Sequence, residues 1–99
     1  VLLLRRVVGT SMQPTLQPRQ LVVGIRVLRR LQPGQIVIIR HQGIEKIKRV
    51  AHMQGDQLFV VGDNPGQSTD SRSFGMLPRS VVIAKVVWPR LTRPVPGKI

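Results

Sequence analysis

A hydroxyl and an amine are the groups in this chain best suited to chemistry. The hydroxyl is Ser11, set between Gly9 and Pro14 in the run Val7-Val8-Gly9-Thr10-Ser11-Met12-Gln13-Pro14. Glycine admits the positive φ of a sharp bend and proline holds the preceding residue out of helix, so an apolar approach ends here in a turn. A turn presents a side chain and backbone N–H groups together, which is what an attacking hydroxyl and an oxyanion donor require. A base must then take the serine proton. His41, His52, Asp63, Asp70, Lys46 and Lys48 are the candidates, and the residues alone do not choose among them. For a lysine to serve, its pKa has to fall from ~10.4 toward neutrality, a cost of about 4 kcal/mol for ~3 units that burial and neighbouring cations supply.

Acidic residues are scarce, and two of the four gather near one place. Asp63 and Asp70 bracket the polar stretch 62–72, whose Asn, Ser, Thr and Arg residues suit a loop tied by its own side chains. Pairing of Asp70 with Arg72, or of Asp63 with Arg72, would fix it. There is no cysteine, and His41 and His52 have no carboxylate or histidine at ligand spacing, so neither a metal nor a cofactor is expected.

The elements that must position these groups read as strands. Residues 2–8, 21–27, 35–40, 44–51, 58–61 and 81–88 are rich in branched apolar residues and are separated by turn signals, among them Pro33-Gly34, His41-Gln42-Gly43 and Gly55-Asp56. Gly24 inside the second run marks a bulge or a close approach of another backbone. A short helical turn is allowed between Pro14 and Gln17. Within 44–51, Lys46, Lys48 and Val50 alternate with Ile47, Arg49 and Ala51, so neither face is cleanly apolar and one charged residue is expected to turn inward. The sum is a single all-β catalytic-size domain over 1–89, a small barrel or sandwich of six or seven strands, followed by a basic, proline-containing tail over 90–99.

Sixteen Lys and Arg against four Asp and Glu give a formal charge of +12, which suits a polyanion, either nucleic acid or an anionic lipid surface. Phe59, Phe74 and Trp88 are few for stacking on bases, which weighs against nucleic acid. No run approaches the ~20 apolar residues of a membrane helix. Val1-Leu2-Leu3-Leu4 before Arg5-Arg6 has the form of the end of an anchor with a basic flank.

Taken in order, Gly9-Thr10-Ser11-Met12-Gln13-Pro14, Pro33-Gly34-Gln35-Ile36-Val37, Lys48-Arg49-Val50 with Gly55-Asp56, Gly62-Asp63-Asn64 with Ser68, and Asp70-Ser71-Arg72 with Phe74-Gly75 resemble the successive boxes of the signal peptidase I family. The resemblance covers about residues 7–89, including the closing Val86-Val87-Trp88-Pro89. It implies that Ser11 is the nucleophile and Lys48 a neutral-lysine base, a Ser-Lys dyad without histidine. Ser68 would orient Lys48, Asp63, Asp70 and Arg72 would fix the loop, and the Ser11 N–H would serve the oxyanion. Met12 would pack beneath the site. Some members carry a side-chain oxyanion donor where this chain has Gly9, which leaves backbone or Thr10 to supply a second donor. Arg19-Gln20 stands where the family usually has Gly-Asp, and Gln35 where it has Asp.

The resemblance implies a serine endopeptidase that removes signal or leader peptides after small residues, with a leader-bearing protein as its partner. In size and in Gly62-Asp63-Asn64-Pro65 the chain is also similar to the short members that mature nickel-type superoxide dismutase. An upstream anchor would place it at the extracytoplasmic face of a membrane, and a soluble cytoplasmic enzyme is the alternative. The competing function is a non-catalytic basic β-barrel that binds nucleic acid or anionic surfaces. Self-cleavage in the manner of SOS-response repressors shares the chemistry, but no internal Ala-Gly or Cys-Gly site is present.

Overall fold

The continuous apolar run after Pro33-Gly34 forms the centre of the molecule. In the computed structural model, which describes residues 1–26 and 31–89, this run is the strand Ile36–His41, and its first four residues are buried. Seven strands are present among the described residues: β1 (Leu2–Arg6), β2 (Leu21–Ile25), β3 (Ile36–His41), β4 (Ile44–Gln54), β5 (Gln57–Val61), β6 (Leu77–Pro78) and β7 (Val82–Trp88). They form one antiparallel sheet in the order β1-β2-β7-β3-β4-β5-β6. The fold is therefore all-β, as expected. The ends of residues 21–27, the basic Arg29-Arg30 connection and the 90–99 tail lie outside the described residues.

Apolar residues on both sides of β3 explain why it reads without alternation. Ile36 and Ile38 join one core with Met12, Leu16, Val22, Ala84 and Val86, while Val37 and Ile39 join a second with Val50, Leu58, Val60, Leu77 and Val82. Val82 and Ala84 have the same parity yet serve opposite cores. A register shift lets them do so, since Ile38 faces Ala84 but Ile39 faces Val82, leaving Ile83 as the extra residue of a bulge. The sheet curls so far that β1 and β4, with three strands between them, meet through a side-chain ion pair from Arg5 to Glu45.

Local signals set the connections. The β3–β4 hairpin turns on two residues of positive φ, Gln42 at 55° and Gly43 at 77°, whose handedness matches the strand twist. Gln35 N–H donates to the Gln32 carbonyl at 3.2 Å across Pro33-Gly34. Gly24 lies at a register shift, and a Cβ there would stand 3.0 Å from that of Ala84. Three details depart from the sequence reading. Strand β1 stops at Arg6, β4 runs on to Gln54, and the polar stretch 62–72 carries a 3-10 turn at Pro65–Gln67 and leads into a one-turn helix, α1 (Ser71–Phe74), capped by Asp70. A four-residue helix has no room to show a 3.6-residue period.

Candidate active site

Residues 8–18 leave the sheet as a loop whose neck is Val7. Its N–H donates to the Gln20 carbonyl at 2.9 Å, and its carbonyl accepts from Arg19 N–H at 2.8 Å. Arg19 sits at φ 72, the left-handed region, at the position where the resembled family carries glycine. Inside the loop, Met12 and Leu16 are fully buried in the first core and joined by a Leu16 N–H to Met12 carbonyl bond of 2.9 Å. That single turn begins earlier than the expected Pro14 to Gln17 turn. Anchored this way, the preceding Gly9-Thr10-Ser11 bend is held rigid, with Gly9 at φ 79.

Two carbonyls of the bend are tied down. Asn64 N–H donates to the Ser11 carbonyl at 2.8 Å and Asn64 Nδ2 to the Thr10 carbonyl at 3.0 Å. Among the described residues, the Ser11 hydroxyl and N–H make no hydrogen bond. A candidate nucleophile and a candidate oxyanion donor are thus left open while the acceptor beside them is engaged.

Ser11 and Lys48 line the same cleft, a space of about 450 Å³ between residues 5–12 and residues 44–48, floored by Ile38 and Met12 and closed on one side by Gln67 and Thr69. The 44–48 stretch of β4 pairs with β3 on one side, whereas β5 pairs only from Arg49 onward. One backbone edge of β4 therefore faces the cleft unpaired.

Lys48 is 4% exposed. Its Nζ donates to Ser68 Oγ at 3.0 Å, and Ser68 Oγ donates onward to Asp70 Oδ2 at 2.7 Å. Because the Ser68 proton is committed to Asp70, Ser68 can only accept from Lys48. A neutral amine satisfies that bond with one N–H and keeps its lone pair for another proton. Burial holds the Lys48 pKa below its ordinary value; Asp70 opposes that shift, and Lys46 and Arg72 add to it. Ser11 Oγ and Lys48 Nζ are not joined by a hydrogen bond among the described residues.

Asp70 is fully buried and accepts from Gly62 N–H at 2.7 Å, from Ser68, and from Arg72 through its N–H, Nε and a terminal nitrogen. Burial by itself would raise its pKa, but the bonds from Arg72, Gly62 and Ser68 outweigh that and leave the carboxyl well below the usual range. Asp70 pairs with Arg72, as the first of the two expected pairings has it.

Asp63 does not pair with Arg72. Its carboxylate takes Arg49 Nε at 2.8 Å and a terminal nitrogen at 2.7 Å, and it also accepts the Thr15 hydroxyl. Arg49 has the nearer approach because it leaves β4 on the face toward Thr15, opposite to Lys48. Burial raises the Asp63 pKa, and the bonds from Arg49 and Thr15 with the Arg49 charge bring it below the ordinary value. Two charged residues of β4 therefore turn inward, where one was expected.

His41 meets Phe74 in a tilted ring contact with centroids 4.4 Å apart, His52 stacks on Phe59, and neither histidine lines the cleft. Lys46 lines it, with Nζ 5.3 Å from the Phe74 ring centre. No group of metal-binding residues occurs among the described residues. Arg49, Asn64, Thr15 and Gly62 were absent from the candidate residues. A Cβ on Gly62 would stand 2.6 Å from the Ser11 carbonyl oxygen and closer still to Ser68 Oγ, so glycine lets the two sides of the site meet. The signal for Arg49 was its place next to Lys48 on a strand of mixed faces.

Residues 53–91 match the family model described as signal peptidase, peptidase S26, a stretch that holds Asp63, Ser68, Asp70 and Arg72. Mitochondrial inner membrane protease subunit 1 of Homo sapiens and that of Mus musculus are each 28% identical to the chain over 110 aligned positions, covering 82% of this chain and 66% of each relative. The chain thus spans just under two thirds of the length of these relatives. Family model and relatives thus agree in making the chain similar to signal peptidases, and the all-β fold is consistent with that similarity.

Proposed function

We propose that the chain is a serine endopeptidase that removes a signal or leader peptide after a small residue, with Ser11 as nucleophile and Lys48 as base. One observation carries this reading: a buried lysine answered by a hydroxyl, not by a carboxylate of its own, shares a cleft with a serine whose hydroxyl is free. Lys48 Nζ takes the Ser11 proton as Ser11 Oγ bonds to the peptide carbonyl carbon. The Ser11 N–H faces the developing oxyanion, with Thr10 as the source of a second donor. The protonated Lys48 then gives its proton to the leaving amine as the C–N bond breaks. Water, deprotonated by Lys48, opens the acyl-enzyme and restores Ser11. Ser68 holds Lys48 for each transfer, Asp70 and Arg72 hold Ser68, and Met12 supports the bend from below.

The unpaired edge of β4 suits a substrate in extended form, bound by main-chain hydrogen bonds. A membrane-inserted signal peptide and the leader of a soluble protein both fit this chemistry. No helix among the described residues is long and apolar enough to cross a membrane. Exposed Leu2, Leu4 and Trp88, the last two aligned through Val23 across β1, β2 and β7, favour contact with an anionic membrane surface beside Arg5 and Arg6. The relatives' names place them at a membrane too. Nucleic-acid binding has the net charge in its favour, but Phe59 and Phe74 are each already in ring contact with a histidine.

Hydrolysis of an Ala-X-Ala peptide tests the assignment. Ser11→Ala and Lys48→Ala should each lower kcat at least ~1000-fold, the range seen when a nucleophile or its base is removed, with the thermal midpoint retained. Cleavage at the wild-type rate by both variants would rule out the dyad.

A further inference from the structure

The walls of the cleft are strongly one-sided in charge. Arg5, Arg6, Lys46 and Lys48 line it against a single carboxylate, Glu45. That carboxylate is already answered. Arg5 holds it at 2.7 and 3.2 Å and Arg40 reaches it at 3.3 Å, and the Arg5 bonds keep its pKa low. The Arg5–Glu45 pair ties β1 to β4, and as a pair it is nearly neutral. Arg6 and Lys46 are left. Arg6 donates to the Arg19 carbonyl at 2.7 Å and Lys46 stands over the Phe74 ring, yet neither has a carboxylate among the described residues. Both line the cleft, Arg6 from β1 and Lys46 from β4.

Resting on the peptidase reading, we propose that the cleft selects a peptide bearing a carboxylate a few residues from the scissile bond, received between Arg6 and Lys46. Lys46 precedes Lys48 by two residues, about 7 Å along a strand. An extended substrate beside β4 brings a side chain two to four residues from the reacting carbonyl within reach of that ammonium. In a cleft partly screened from water, each unpaired cation facing such a carboxylate is worth about a three- to tenfold gain in affinity. A lysine at the same substrate position is disfavoured by a similar factor.

The test uses the full chain carrying Ser11→Ala and neutral, end-blocked ten-residue peptides with an uncharged fluorescent label, binding being read by anisotropy. One Glu is moved along the peptide on either side of a central Ala, with Gln and Lys at the same positions for comparison. Glu should bind about three- to tenfold tighter than Gln at one or two positions within ~4 residues of that Ala, and the preference should shrink in ~1 M salt, where the Debye length is about 3 Å. Lys46→Gln or Arg6→Gln should reduce the preference, and Glu45→Gln, which frees Arg5, should increase it. Lys85→Gln makes the same change in net charge away from the cleft and should leave it intact. Equal binding of Glu and Gln at every position, or equal loss with Lys85→Gln, overturns the proposal. Hydrolysis of the same peptides by the unmodified chain separates the two ideas. Cleavage without a binding preference sinks the charge selection alone, and a binding preference without cleavage supports the acidic-residue site while sinking the peptidase reading.

Discussion

Lys48 and Arg49 are neighbours on β4, both buried, and they point to opposite sides of the sheet. Arg49 is met in full: Asp63 takes two of its nitrogens, and the Gly34 carbonyl accepts another at 2.7 Å. Lys48 meets a serine hydroxyl, and the carboxylate behind that serine is already held by Arg72 and Gly62. Burial is common to both residues, so burial does not mark the proposed base. What separates them is the answer each charge receives. A buried cation with its own carboxylate stays ionised and joins parts of the fold, whereas one with only a hydroxyl is driven toward the neutral form that a base requires.

Breaking the Arg49 side should give the largest effect on stability. Arg49→Met leaves the Asp63 carboxylate buried with Thr15 as its remaining side-chain donor, a situation that costs roughly 3–5 kcal/mol. Urea unfolding should show that loss. Replacing both partners, Arg49→Met with Asp63→Leu, should recover most of it, because removing a buried pair is far cheaper than orphaning one member. A loss under ~1 kcal/mol for the single change would mean that Arg49 is not the structural cation of the two.

Gly62→Ala sharpens the contrast from the other side. The added Cβ collides with Ser68, the partner of Lys48, and with the Ser11 carbonyl. Overpacking of this kind costs about 1–3 kcal/mol. Because Ser68 and Ser11 must both move, kcat should fall by more than tenfold, the scale on which small misplacements of reacting groups act. Stability loss with kcat unchanged would remove Ser68 from the positioning of Lys48.

The legibility of these two residues from sequence differs for a physical reason. Turns such as Pro33-Gly34 and the two-residue hairpin at Gln42-Gly43 are set by local φ preferences, and the apolar run of β3 by burial on both faces, so they could be read directly. The parity of β4 showed that a charge must turn inward, but not that two do. Deciding that needs the distant partners, Asp63 fourteen residues on for Arg49 and Ser68 twenty residues on for Lys48, and non-local contacts leave no local pattern. Lys48 and Ser68 were reached through the family resemblance. Arg49 lies inside the same box, and a motif names positions without saying which one holds the fold. The bulge at Ile83 and the one-turn α1 were likewise invisible, being products of packing and of a cap rather than of periodicity.

Lys48→Met gives the smallest effect and the most specific one. Lys48 has a folded-state pKa lowered from its ordinary value by burial. Between that lowered value and the unfolded value of ~10.4 the unfolded chain binds more protons than the folded one, so stability rises with pH across this window. Below the lowered pKa the cost of carrying Lys48 is complete, and above ~10.4 it is gone. Methionine carries no such cost and keeps much of the same volume. Lys48→Met should therefore be at least as stable as the parent at neutral pH, and its advantage should shrink as the pH is raised toward ~10. Thermal unfolding followed from pH ~7 to ~10 reads this directly. The opposite trend, an advantage that grows with pH, would mean that the fold stabilises Lys48 as an ammonium, and the distinction between the two neighbours would collapse.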